Sequence, residues 1–284
     1  MRARWLPLLF AALLLTRCGS SDDQSPARTP TATAAAKTPA PTPTPTPTVD
    51  SAALKQLPQV PAPSGPPPSS ATLARNQFLR NVFDDIQAMW RREFAAAQLT
   101  YRPARLTIFR HGVHTACGSQ TSDVGPFYCP ASAGVYLDTA FFNALSNKVG
   151  VHLGDFAQAY VVAHEVGHHV QAVLGTLQQV AAADEADPQG ANARSVRVEL
   201  QADCFAGVWV HSAYHRGALN RTDFADALRA AAVVGDDFLA RAAMGVERPP
   251  ESFTHGTSAQ RQQWLTTGFE EGTPQACDTF ARSG

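Results

Sequence analysis

His164-Glu165-Val166-Gly167-His168 carries more chemistry than any other stretch of this chain. On a helix, with His164 set at zero, His168 falls at about 40° and Glu165 at about 100°, so all three share one narrow arc. Two imidazoles one turn apart can bind a single Zn2+, and the neighbouring carboxylate stays free to take a proton from water. With 9 histidines and 8 glutamates among 284 residues, H-E-x-x-H arises by chance in roughly one such chain in a hundred. The surrounding sequence therefore decides whether it is a site.

That surrounding sequence reads as a helix. Ala159, Val162, Val166, Val170 and Val173 recur at spacings of three and four and predict an apolar stripe facing away from His164 and His168. Asp155 suits a helix start, and Gly175 stands where a C-cap glycine belongs. A catalytic zinc centre takes a third protein ligand and leaves its fourth position to water. Downstream, Arg197 to Gly207 reads as a second helix on which Glu199 and Asp203 share a face. Glu199 is the expected third ligand. Asp203, one turn on, is expected to accept the free ring N–H of a ligand histidine and so fix its tautomer. Ala202, Ala206 and Gly207 are small enough for a neighbouring helix to come close. Without the histidine pair, the same two carboxylates would read as a solvated helix face.

The elements that must position these residues are legible too. Thr72 to Ala97 predicts a long helix with Leu79, Val82, Phe83, Ile86, Met89, Trp90 and Phe94 as its core face. Pro103 ends that pattern. Arg105–Phe109 and Gly134–Asp138 read as short strands on either side of a cysteine-bearing loop. A polar connection, Asp187-Pro188-Gln189-Gly190, separates the two site helices, and further helices are expected near Thr222–Val234 and Ser258–Thr267. The expected architecture is α+β, mostly helical with one small sheet.

Arg2 and Arg4 precede an apolar run, Trp5 to Leu15, too short to span a membrane and suited to a signal peptide. It leads into Leu15-Thr16-Arg17-Cys18, which resembles a bacterial lipobox except at Arg17, where a small residue is the rule. Residues 1–18 are thus expected to be a signal peptide with Cys18 as the lipidation site, and the chain to be exported. Residues 19–70 are rich in Pro, Thr, Ala and Ser; 13 of the 21 prolines fall between Pro26 and Pro68. Such a segment buries too little apolar surface to fold, and its Thr-Pro alternation favours extended polyproline II, so it is expected to be a disordered linker. Residues 71–284 remain as one domain of about 210 residues. A net charge of −1 gives no sign of a nucleic-acid partner.

Apart from Cys18 there are four cysteines, which allow three pairings. Cys117 and Cys129 flank a loop holding Gly118, Gly125 and Pro126, which favours a local bridge, with Cys204 then joined to Cys277. A buried free thiol at Cys204 is the alternative. No C-x-x-C pair points to a structural zinc knuckle.

Together H-E-V-G-H-H-V-Q at 164–171, E-L-Q-A-D-C-F-A-G at 199–207, G-D-D at 235–237, F-T-H-G-T-S-A-Q-R at 253–261 and the T-A-C-G-S…G-P-F-Y-C-P block at 115–130 resemble the bacterial neutral zinc metallopeptidases. Glu199 with Asp203 also resembles the E-x-x-x-D helix of gluzincin proteases, nearest to the membrane CAAX-prenyl endopeptidases. The resemblance implies a zincin-like fold whose sheet lines the active-site cleft, with Gly134–Asp138 as the strand that pairs with extended substrate. It implies one Zn2+ per chain held by His164, His168 and Glu199, with Asp203 supporting a ligand histidine. In the CAAX-type enzymes a histidine six residues before an arginine stabilises the tetrahedral intermediate, which puts His255 in that role, with Arg261 paired to a site carboxylate. His169, His111, His114, His152, His211 and His215 have no comparable placement, and His169 is expected to be structural.

The resulting expectation is an exported zinc metallopeptidase, with Glu165 as general base and a peptide or protein as substrate. It would be anchored by lipid on the outer face of the cytoplasmic membrane or in the periplasm, or else secreted. Two rivals share the residues: a zinc hydrolase of cell-wall peptides or other amides, and a non-catalytic zinc-binding lipoprotein.

Overall fold

The computed structural model describes residues 75–109, 112–121, 125–139, 141, 147 and 154–281. The signal segment, Cys18, the Pro/Thr-rich linker, His111 and His152 lie outside the described residues. What is described is α+β and mostly helical. Helix α1 (Arg75–Ala96) is followed by strands β1 (Arg105–Phe109), β2 (Gly112–Thr115), β3 (Gly118–Thr121), β4 (Phe127–Cys129) and β5 (Gly134–Asp138). Helices α2 (Asp155–Leu174), α3 (Thr176–Ala186), α4 (Ala191–His215), α5 (Arg221–Val233), α6 (Asp236–Met244) and α7 (Ser258–Glu271) follow. No described helix is long and apolar enough to cross a membrane.

The seven apolar residues expected to face inward on α1 are all buried. Trp90 meets Phe205 of α4 edge-on, with ring centroids 5.2 Å apart, and Phe156 of α2 stacks on Trp209 of α4. One carboxylate fastens the far end of this layer: Asp85 on α1 accepts from Trp209 Nε1 at 2.9 Å and from both terminal nitrogens of Arg216 at 2.9 and 2.6 Å.

Both strands read from the sequence are present with the expected bounds, and they lie parallel, Arg105 opposite Gly134 and Phe109 opposite Asp138. The sheet order is β1-β5-β4, with β4 antiparallel to β5, while β2 and β3 form a separate hairpin. β5 is the middle strand, paired with β1 along its whole length and with β4 over Gly134 to Tyr136. The 3-residue β4 was missed because so short a run of aromatics and cysteine carries no alternation to read. Cys117 and Cys129 are bridged, tying the hairpin turn to the end of β4, and Cys204 and Cys277 are bridged, tying the C-terminal turn to α4.

Helix α2 begins at Asp155 and ends on Gly175, which takes the left-handed conformation at φ 83°. The apolar stripe expected on it is buried at Ala159, Val162, Val166 and Val170, and the opposite side is buried as well. From Phe156 to Gln171 all but Val161 are buried, including His164 and His168 at 4 % exposure each. The helix packs against α1, α4, α5, β4 and β5, so its polar side faces other elements of the domain rather than water. Its closest neighbour is α4. A Cβ on Gly167 would lie 3.0 Å from the backbone of Ala202, so the two helices cross where both residues are small. The same device joins α4 to α7, where Gly207 comes against Gly268.

Candidate active site

The crossing at Gly167 and Ala202 brings Glu199 up to the histidine pair. Its Oε2 is 3.1 Å from His164 Nε2 and its Oε1 is 3.4 Å from His168 Nε2, so one carboxylate faces both rings. The two rings meet nearly at right angles with centroids 4.7 Å apart. His164, His168 and Glu199 each offer a donor atom within 4.8 Å of the others, and all three are buried. Two imidazole nitrogens and a carboxylate oxygen are a donor set that suits Zn2+.

Both histidines have the opposite ring nitrogen engaged. His164 Nδ1 lies 2.8 Å from Asp203 Oδ1, and His168 Nδ1 lies 2.9 Å from Gln171 Oε1. Each ring thereby turns Nε2 toward Glu199. Asp203 is itself held: Tyr160 donates its hydroxyl to Oδ1 at 2.5 Å, and Arg261 donates Nη2 to Oδ1 at 2.9 Å and Nε to Oδ2 at 2.8 Å. Arg261 Nη1 is buried with no hydrogen-bond acceptor and lies 3.8 Å from Glu199 Oε2. The expected pairing of Arg261 with a site carboxylate is therefore a two-pronged contact with Asp203.

Burial opposes ionisation of Glu199, but His168 and His164 hold its carboxyl well below the usual range. Asp203 is likewise buried, yet Arg261 and His164 keep it ionised. Burial works against a charge on His164, and Asp203 outweighs it, holding the ring at about 9. Glu165 behaves oppositely: burial pushes its carboxyl up, against the pull of His168 and His164. Three carboxylates in one site thus divide into two kept anionic and one moved toward the proton-exchanging range.

His255 lies in the loop before α7, and Asp236 organises that loop. Asp236 Oδ2 accepts from the backbone N–H of Thr254, His255 and Gly256 at 2.8, 2.7 and 3.1 Å, and Oδ1 lies 3.3 Å from His255 Nδ1. Burial resists ionisation of Asp236, and His255 with these amides overcomes it, holding the carboxyl below its ordinary value. Ser195 on α4 donates to the Thr254 carbonyl at 3.0 Å, one turn before Glu199, so the loop rests on the helix that carries Glu199. Thr257 caps α7 reciprocally with Gln260 and so sets the register of Arg261. His169 points elsewhere, between the Tyr128 hydroxyl on β4 at 3.1 Å and the Arg102 carbonyl at 2.7 Å. Burial lowers its pKa, in keeping with a neutral structural ring.

Sequence reasoning gave no role to Tyr160, or to Gln171, Gln201 and Asp236, although the last three stand inside the motifs at 164–171, 199–207 and 235–237. Two of these had a readable signal. Tyr160 is one turn before His164 and Gln171 is three residues after His168, so helical spacing alone puts them beside the ligand candidates.

Residues 50–280 match the family described as "Putative neutral zinc metallopeptidase", and the chain belongs to that family. It is 47 % identical over 208 residues to the uncharacterized protein YpfJ of Escherichia coli K12, covering 73 % of this chain and 72 % of that one. It is 44 % identical over 191 residues to the uncharacterized protein Rv2575 of Mycobacterium tuberculosis, covering 64 % of each. No solved structure matches the chain significantly.

Proposed function

We propose that this protein is an exported, zinc-dependent metallopeptidase with a zincin-like active site, in which His164, His168 and Glu199 hold one Zn2+ and Glu165 is the general base. The observation that carries the reading is the convergence of His164 Nε2, His168 Nε2 and Glu199 in a buried cluster, with both Nδ1 atoms already engaged. Among the described residues the cluster has three donors, whereas a purely structural zinc site is closed by four; this favours catalysis over the binding-lipoprotein reading.

When bound, zinc supplies Lewis acidity, polarising a peptide carbonyl and lowering the pKa of a water from ~15.7 toward ~7. Glu165 would take a proton from the attacking water on a carboxylate oxygen and return it to the departing amine. Burial raises its pKa, which makes the carboxylate a stronger base than an exposed glutamate. Asp203 holds the His164 ring and Arg261 keeps Asp203 ionised. His255, held by Asp236, would stabilise the negative charge that develops on the attacked carbonyl oxygen.

The first 18 residues would direct export, Cys18 would carry the lipid, and residues 19–70 would act as a tether between membrane and enzyme; the hydrophobic run, the lipobox-like sequence and the proline content support this. The test is digestion of casein and a peptide library by purified protein, alongside metal analysis. One zinc per chain, chelator-sensitive cleavage and loss of zinc in Glu199→Ala are the expected results. Full zinc occupancy in Glu199→Ala would reject Glu199 as a ligand.

A further inference from the structure

Behind His168 lies a chain of side-chain amides whose orientation is fixed by its surroundings. Gln171 Nε2 is 2.7 Å from the Val198 carbonyl and 3.1 Å from Gln201 Oε1. Gln201 Nε2 is in turn 3.0 Å from the Cys277 carbonyl. Gln171 and Gln201 are 0 % and 2 % exposed, so water cannot rearrange these bonds cheaply.

A backbone carbonyl accepts and never donates, so the atom facing it on each glutamine is the NH2 group. Val198 therefore sets Gln171, and Cys277 sets Gln201. Gln171 Oε1 is left facing His168 Nδ1 at 2.9 Å, and an amide oxygen there can only accept. His168 must carry a proton on Nδ1, which makes Nε2, facing Glu199, the nitrogen left for a metal. A carboxylate faces Nδ1 of His164; a neutral amide oxygen, held by further amides, faces Nδ1 of His168.

The last link is the C-terminal turn. Cys277 is bridged to Cys204, and Thr279 donates to the Arg197 carbonyl at 2.8 Å, so the tail is fastened across α4 on both sides of Gln201. We infer that Gln171 and Gln201 are positioning residues that lock His168 in its Nδ1–H tautomer, and that the disulfide-tethered tail is the outer anchor of this lock. The inference rests on the zinc reading for its purpose. The tautomer itself is a property of the protein without metal.

The experiment is long-range 1H–15N NMR of the histidine rings in full-length, metal-stripped protein, followed by zinc titration against a competing chelator. Wild type should show His168 protonated on Nδ1. Gln171→Leu should lose that preference and bind zinc ~10–100-fold more weakly. Gln171→Glu loses the donation to the Val198 carbonyl and should be less stable, but it retains an acceptor for Nδ1 and should keep the tautomer, while Gln201→Leu should shift tautomer and affinity in the same direction as Gln171→Leu but less. Far-UV and near-UV circular dichroism check that each variant folds; the wild-type spectrum alone still tests the lock if one does not. An Nε2–H tautomer in wild type, or a Gln171→Leu protein with parental tautomer and zinc affinity, would overturn the inference. Correct tautomer with no zinc bound would instead overturn the metal reading and leave the lock standing.

Discussion

Arg261 and Asp203 face each other across the crossing of α4 and α7 in a two-pronged ion pair, Nε to Oδ2 at 2.8 Å and Nη2 to Oδ1 at 2.9 Å, with both side chains buried. The pair sits directly behind His164. Its anionic half orients a ligand candidate, and its cationic half holds that anion in the charged state against burial. A buried pair of this kind stabilises little beyond an apolar replacement of both partners, but removing one leaves a charge stranded.

Arg261→Leu should therefore destabilise the domain by about 3–5 kcal/mol, and denaturant unfolding measures it. Zinc affinity should fall in the same variant, because Asp203 without its partner takes up a proton more easily and holds His164 less well. Unfolding stability equal to the parent would show that the guanidinium contributes no net support.

The two disulfides close loops of very different length, 12 and 73 residues of separation. Loop-closure entropy predicts a loss of about 3 kcal/mol on removing the Cys117–Cys129 bridge and about 4 kcal/mol on removing Cys204–Cys277. Paired Cys→Ala variants compared by chemical denaturation test the order. A larger loss for the short loop would mean that local packing around the hairpin, rather than chain entropy, dominates there.

Much of the site was readable from spacing because helical periodicity puts ligands and their nearest partners on one arc. His164, Glu165 and His168 needed only the 3.6-residue repeat, and Asp203 followed from Glu199 by the same rule. What escaped was set by packing between segments far apart in the chain. Gln201 is on the expected helix, yet its partners are Gln171 and a carbonyl contributed by Cys277, 76 residues away. The burial of α2 on its polar side was hidden for the same reason: the sequence shows which face is apolar, while the neighbours that cover the other face come from the tertiary fold. Asp236 stood in the G-D-D motif without a role, and only the loop returning at Thr254–Gly256 reveals its work.

Asp236 also sets a pH dependence. Its folded carboxyl lies below the ordinary 3.8, so it contributes stability that is present above that value and lost as pH falls through the lower, folded one. Asp236→Asn should be less stable than the parent near neutrality, and the gap should narrow as pH drops below about 4. Thermal unfolding at pH 3, 4, 5 and 7 measures this; a gap that does not change with pH would assign the loss to packing alone.

Catalysis is separated from metal binding by Glu165, which lies beside His164 yet is not one of the three converging donors. Glu165→Gln preserves size and shape and removes the proton acceptor. Zinc content and fold should remain, while peptide hydrolysis should fall by at least ~10²–10⁴, the usual worth of a general base. His255→Ala should cost about 10²–10³ in turnover with little change in KM, as expected for a group that meets charge only in the transition state. The two variants read different steps, so their effects need not match. Cleavage by Glu165→Gln at the parental rate would refute the general-base mechanism. A His255→Ala protein that lost substrate affinity instead of turnover would move His255 from the oxyanion to the substrate-binding cleft.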